Sequence, residues 1–233
     1  MALVVLCALP GLTAALTSPA RAGVTAADPI DFQMRACLAR ADRSSTAGQL
    51  QCMNEARQSW RMVMRQAYGQ LLARLPHGQR GRWIISQHRW NAWYRAENPL
   101  LATVFSTADK DAMSAQSEAD IRLQTVRDRA LLLRTQSARA AMTGHRRRSL
   151  PYPVRPCQAN RRCARASREM NRYYHYLLAR LPAYTRVTLA HAQYAWRAYR
   201  DATTPLINAN ARIDLTGARL ATLKRLSDTV GYR

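Results

Sequence analysis

Acidic residues are scarce in this chain. There are 14 Asp and Glu against 36 Lys and Arg in 233 residues, a formal net charge of +22. So few and so scattered are the carboxylates that no pair of them stands in a patterned context for acid–base work. The five histidines, at 77, 88, 145, 175 and 191, fall at no metal-ligand spacing relative to one another or to the cysteines, which leaves neither a zinc site nor an imidazole base to argue for. A Gly-rich phosphate loop and a serine elbow are missing too. Sustained alternation of Val, Ile or Thr is absent, so strands are not expected. Lysine is nearly absent, with only Lys110 and Lys224, and the positive charge is therefore almost all arginine. These absences read as a protein that is not an enzyme and that needs no cofactor and no metal.

The sequence does contain one apolar run, Leu3 to Leu16, followed by Ala20-Arg21-Ala22. We read residues 1–22 as a secretory signal cleaved before Gly23. Cys7 lies inside that run without the small residue before it that a lipid anchor would need. Downstream, no stretch approaches the roughly 18 apolar residues of a membrane span. Cys37, Cys52, Cys157 and Cys163 remain, an even number in two local pairs, as suits an oxidising compartment. Three connectivities are open, and proximity favours Cys37 with Cys52 and Cys157 with Cys163. Each bridge would contribute about 2 to 3 kcal/mol by closing a short loop.

An internal repeat organises the rest. Leu71-Leu72-Ala73-Arg74-Leu75-Pro76 recurs 106 positions later as Leu177-Leu178-Ala179-Arg180-Leu181-Pro182. The same offset aligns Gln87, Trp90, Ala92, Ala96, Pro99 and Leu100 with Gln193, Trp196, Ala198, Ala202, Pro205 and Leu206. Two copies follow, a first unit over 29–135 and a second over 156–233, joined by a basic Pro/Arg linker over 136–155. Within each copy, apolar residues at steps of three and four predict three helices. The first runs through Met53, Ala56, Trp60, Met64, Ala67, Leu71 and Leu75 in copy one, and through Cys163, Ala166, Met170, Tyr173, Leu177 and Leu181 in copy two. The second carries Trp83, Gln87, Trp90 and Tyr94, or Leu189, Ala192, Trp196 and Tyr199, and is expected to stop before Pro99 or Pro205. The third carries Leu123, Val126, Ala130 and Leu133, or Leu215, Ala218, Thr222 and Leu226, so that copy one holds an insertion of 14 residues before it. The expected fold is all-α: two tandem three-helix units of antiparallel helices, stapled by local disulfides.

Charge is unevenly placed. Arg129 to Arg168 holds 11 arginines and no acid, whereas the insertion of copy one holds Asp109, Asp111, Glu118 and Asp120. The acidic insertion is expected to neutralise part of the basic linker. Candidate anion-binding residues are Arg146, Arg147, Arg148, Arg155, Arg161, Arg162, Arg165 and Arg168.

The segment Ala192-Gln193-Tyr194-Ala195-Trp196-Arg197-Ala198-Tyr199-Arg200-Asp201-Ala202 carries a resemblance. With the cysteines before it and Leu215-Thr216-Gly217-Ala218-Arg219 after it, it resembles the LprI-like lysozyme-inhibitor family of exported bacterial proteins. Copy one matches more loosely, keeping Gln87 and Trp90 but placing Arg95 and Glu97 out of register with the pattern. Members often carry a further cysteine pair after the R-D-A segment, where this chain has Thr203-Thr204 and Glu97-Asn98. The resemblance implies that Gln87, Trp90, Gln193, Trp196, Tyr199, Arg200, Asp201, Thr216 and Arg219 define the fold, chiefly as core residues with a local ion pair. It also implies an inhibitor of a cell-wall hydrolase in the periplasm or outside the cell. Charge alone suggests a different role, a module for anionic envelope polymers such as lipopolysaccharide, phospholipid or nucleic acid at a membrane surface. A structural envelope protein is the third reading. Since a strongly basic hydrolase would be repelled at long range, an acidic or neutral one suits the first reading better.

Overall fold

The computed structural model describes residues 28–107, 112–143 and 157–231. The expected signal segment, Arg146, Arg147, Arg148 and Arg155 lie outside the described residues. Seven α-helices are present among them: α1 (Pro29–Leu38), α2 (Thr46–Arg74), α3 (His77–Thr107), α4 (Ala112–Thr143), α5 (Arg161–Arg180), α6 (Ala183–Thr203) and α7 (Ala209–Gly231).

Local chemistry sets the helix ends. Asp28 caps α1 through the Ile30 N–H at 3.1 Å, with Pro29 at the first helical position, where its missing N–H costs nothing. Ser45 caps α2 through the Gly48 N–H at 3.1 Å. A Cβ at Gly48 would stand 2.8 Å from the Arg43 backbone, so only glycine lets the preceding turn pack this closely. Asn160 caps α5 by accepting from the Arg162 and Cys163 N–H groups. The duplicated Leu-Leu-Ala-Arg-Leu-Pro segment ends α2 and α5 alike: Leu75 and Leu181 turn to extended backbone while still donating to Leu71 and Leu177. The disulfides are Cys37–Cys52, which ties α1 to α2, and Cys157–Cys163, at the start of α5.

Two of the expected boundaries are corrected. Helix α3 does not stop before Pro99 but continues to Thr107. The hydrogen bond lost at proline is offset because Leu100, Leu101, Val104 and Phe105, all beyond it, are buried. In copy two the helix does stop, at Thr203, and Pro205 sits in a short 3₁₀ turn. Helix α4 begins before Leu123 and runs on through Thr143, so the first part of the expected linker is helical.

In each copy the first and third helices are the closely packed pair, α2 with α4 and α5 with α7. They run parallel: Gln49 bonds Gln116 near their starts, and Arg74 bonds Ser137 near their ends. The middle helices go elsewhere. Helix α3 packs mainly against α6 of the other copy, antiparallel, with Ser86 bonded to Thr203 at 2.7 Å. At the centre of this crossing Trp93 stacks on Tyr199, ring centroids 5.4 Å apart and planes 6° from parallel. These two residues are 106 positions apart, the repeat offset itself, so each is the other's counterpart and the pair marks a pseudo-two-fold axis. One apolar cluster extends across that axis, from Trp60, Trp90 and Leu100 in copy one to Leu177, Trp196 and Leu223 in copy two.

A core shared in this way should melt as a unit. Trp93→Ala should lower stability by about 3 to 5 kcal/mol, and in urea the helical circular-dichroism signal and the tryptophan fluorescence should still fall together in one transition. Two separated transitions would mean that the copies fold independently.

Candidate functional site

Two arginines in the third helices are almost fully buried, Arg129 on α4 and Arg219 on α7, each 1% exposed. Their Nε atoms donate to equivalent glutamines, Arg129 to Gln87 at 3.0 Å and Arg219 to Gln193 at 2.9 Å. The arginines are therefore counterparts, as are the buried pairs Leu133 with Leu223 and Ser137 with Ser227. All three pairs are 90 positions apart against 106 for the middle helices. The insertion of copy one is thus 16 residues, two more than the apolar stripes alone suggested. Arg129 was missed at the sequence level, although the shared Arg-x-x-x-Leu-x-x-x-Ser spacing in both copies carries the signal.

The surroundings of the two guanidinium groups differ. Arg219 donates from Nη1 to Glu97 Oε1 at 2.5 Å, and the Trp93 indole N–H holds Glu97 Oε2 at 3.1 Å. Copy two's third helix is thereby fastened to copy one's middle helix by a buried ion pair. Thr203 stands where that glutamate would be in the mirrored position, and Arg129 has only neutral partners: Gln87, the Ser86 hydroxyl at 3.1 Å and the Tyr199 hydroxyl. Burial pushes Arg129 below its ordinary pKa and Tyr199 above its own, yet a guanidinium stays protonated in any protein.

Above the Trp93–Tyr199 pair, α4 and α7 stand apart and leave a cleft of about 670 Å³. Asp120 on α4 and Arg225 on α7 are paired at one end of it. Asp128 and Asp214 line opposite walls. Asp128 is exposed to water at the edge of the cleft, with the walls of α4 and α7 crowding it. The partial loss of water to those walls, with the like charges of Asp214 and Asp120 adding to it, pushes its carboxyl up to about 6 despite the nearby Arg127. Asp31 behaves in the opposite way. Burial alone would raise it, but Arg127, bonded to both its oxygens, and the Trp60 indole hold it below the usual carboxylate value.

Of the residues the sequence singled out, Trp90, Gln193, Trp196, Tyr199, Thr216 and Arg219 are buried and gather around the axis, with Gln87 half-buried beside them. Arg200 lies over the Trp196 ring and pairs with Asp201 at 2.8 Å on the surface. The arginines of copy two are separate from this cluster. Arg161, Arg162, Arg165 and Arg168 are exposed on α5, and none has an acidic partner among the described residues. Arg161, Arg165 and Arg168, continued by exposed Arg172, recur at steps of four and three, so they share one helix face. Of the acids of the insertion, Glu118 pairs with Arg122 of its own helix and Asp120 with Arg225, while Asp109 and Asp111 lie outside the described residues, as do Arg146, Arg147, Arg148 and Arg155 of the linker. No helix among the described residues is long and apolar enough to cross a membrane.

The model of a family described as lysozyme inhibitor LprI matches residues 37–150 and 157–223. The crystal structure of an uncharacterized protein from Burkholderia thailandensis is similar over 88% of this chain and 98% of that one, with 50% identity and a TM-score of 0.82. No curated protein matches.

The buried pair and the raised carboxyl make separate predictions. Glu97→Ala should cost about 3 to 5 kcal/mol in urea denaturation, because it strands the Arg219 charge. Glu97→Leu combined with Arg219→Met should recover most of that loss. Asp128, with a folded pKa near 6 and an unfolded one near about 3.9, binds more protons folded than unfolded between those values. Its contribution to stability therefore falls as pH rises through that window. Asp128→Asn should match the parent in melting temperature below about pH 4 and exceed it increasingly up to about pH 6. A constant difference at all pH would refute the assignment.

Proposed function

This chain belongs to the LprI lysozyme-inhibitor family, and from that premise we propose that it is an exported, non-enzymatic binding protein that inhibits a cell-wall hydrolase. The observation that carries the reading to a surface is the α5 face of Arg161, Arg165, Arg168 and Arg172, exposed and without acidic partners among the described residues. Hydrolases that cleave glycosidic bonds work with a pair of carboxylates in a cleft. Guanidinium groups suit such a target, because the contact is charge-assisted and often bidentate. A row of them along a rigid helix is preorganised, so little side-chain ordering opposes binding. The two units, 29–135 and 156–233, then act as one body: copy one supports copy two through the α3–α6 crossing and the Glu97–Arg219 pair. A net charge of +22 favours a hydrolase whose own surface is neutral or acidic, since like charge slows encounter.

Inhibition of a panel of purified wall hydrolases, acidic to basic, tests this. The oxidised protein should inhibit an acidic or neutral member stoichiometrically. Replacing Arg165, Arg168 and Arg172 together by Glu should weaken inhibition by tenfold or more, about 1.4 kcal/mol at least, without changing the helical circular-dichroism spectrum. Retention of lipopolysaccharide or nucleic acid alone, with affinity falling steeply as salt rises, would instead assign the same arginines to anionic polymers.

A further inference from the structure

Five of the nine large apolar side chains exposed among the described residues stand on two helices, α3 and α6: Ile84, Ile85, Tyr184, Val187 and Tyr194, each 50 to 75% exposed. The fold does not call for them. At the offset of 106 their counterparts are Ala190, His191, Gly78, Gly81 and His88, so the same backbone is built with small or polar residues at each point. Exposed Ile, Val and Tyr gathered in this way mark a surface that another body covers.

These side chains face one way. On α6, Tyr184, Val187, His191 and Tyr194 recur at steps of three and four. On α3, the counterparts of the last three, Gly81, Ile85 and His88, do the same, so each set shares a helix face, and all of these residues are exposed. A two-fold axis between antiparallel helices stands perpendicular to the plane that holds them, so counterparts on α3 and α6 point to the same side of that plane. Helices α4 and α7 lie on the other side, where Trp93 and Tyr199 line the cleft. Val187 and Thr203 are separated along α6 by about 24 Å at 1.5 Å per residue, and Thr203 bonds Ser86 near the start of α3. The face therefore carries two apolar anchors, Ile84 with Ile85 at one end and Tyr184 with Val187 at the other, with Tyr194 between them.

Charge says what covers it. Every exposed charge on the two helices is an arginine except Asp201, and that one is held by Arg200. Arg82, Arg89, Arg95, Arg186 and Arg197 have no acidic partner among the described residues. A second copy of this chain would bring the same arginines against them. A small ligand cannot span both anchors, and an acidic protein patch answers the arginines but not the anchors. A flat anionic surface with an apolar interior answers both: phosphates meet guanidinium groups, tyrosines sit at headgroup level, and aliphatic side chains pass below it. We propose that the outer face of the α3–α6 pair docks on an anionic phospholipid bilayer, lying on it without crossing it. Ile85 and Val187 enter the headgroup boundary, and Arg89 and Arg95 meet lipid phosphates. This role is separate from the α5 face and does not rest on hydrolase inhibition.

Co-sedimentation of the oxidised protein with vesicles of phosphatidylglycerol and phosphatidylcholine in equal parts, at about 0.15 M salt, tests the face. Binding should saturate, and should be at least about tenfold weaker on phosphatidylcholine alone. Ile85→Ser with Val187→Ser leaves the charge unchanged and should weaken binding to the mixed vesicles by about tenfold. Met62→Ser with Met113→Ser, at exposed sites on α2 and α4, should bind as the parent does. Arg89→Gln with Arg95→Gln should weaken binding by about tenfold, and by more than Arg165→Gln with Arg168→Gln, which removes the same net charge from α5. All the substituted side chains are exposed, so the helical circular-dichroism spectrum should not change. The proposal is overturned if the mixed vesicles retain no protein, or if the methionine pair costs as much as the Ile85 and Val187 pair. Equal effects of the two arginine pairs would also overturn it, since only a diffuse attraction of net charge would remain. If Ile85→Ser with Val187→Ser leaves vesicle binding intact and instead abolishes hydrolase inhibition, the face belongs to a protein partner and the proposal falls.

Discussion

A guanidinium taken out of water has to be met by acceptors on several sides at once, and in this protein two such groups fix how the third helices lie on the middle ones. Arg129 and Arg219 each reach back to a glutamine on the middle helix of their own copy. Arg219 then continues to Glu97 in the other copy. Sliding α7 by one residue along α6 would strand a buried charge, at a cost of several kcal/mol. Apolar packing, which tolerates exchange of similar shapes, would not impose that register. Once it is imposed, Trp93 and Tyr199 meet face to face at the axis and the core closes over both copies.

Duplication followed by divergence left the two sides of the axis with the same skeleton and different chemistry. Trp93 faces Tyr199, so the stacked pair survived a change of ring. Glu97 and Thr203 occupy matching positions, and only the first neutralises its arginine; Ser86 and Tyr199 serve the other with hydroxyls. Asp128 and Asp214 have Ala218 and Gln124 as counterparts, which is why the cleft lies on the axis without being symmetric. Helix α3 continues past Pro99 while α6 stops short of Pro205, because only in copy one do four buried apolar residues follow the proline.

The strong positive charge is distributed by the same logic. Inside and between the helices, acids are matched to arginines: Asp28 with Arg134, Asp31 with Arg127, Glu97 with Arg219 and Asp120 with Arg225. Much of the excess is therefore left on the outside, and α5 presents a row of it on one face. Such a surface attracts anionic groups over roughly the Debye length, about 8 Å at physiological salt. The cleft between α4 and α7 is mixed instead, with Asp128 and Asp214 standing among Arg129, Arg139, Arg219 and Arg225.

Periodicity of three and four residues, the repeated Leu-Leu-Ala-Arg-Leu-Pro stop and the spacing of the cysteines are short-range signals, and they determined the all-helical fold, the duplication and the local disulfides. Short-range signals fail where a long-range gain outweighs a local cost. Pro99 is a stop by local rules, and burial of Leu100 to Phe105 carries the helix through it. Gln193, Trp196 and Arg219 could be picked out from the sequence, but not what they touch, since Glu97 lies in the other copy, 122 positions from Arg219. Tertiary structure alone decided that α3 and α6 pack on each other and that Asp128 and Asp214 line one cleft. The stripes that predict helices say which face of each is apolar. Which partner covers that face depends on how two identical topologies share one core, and no local pattern records it.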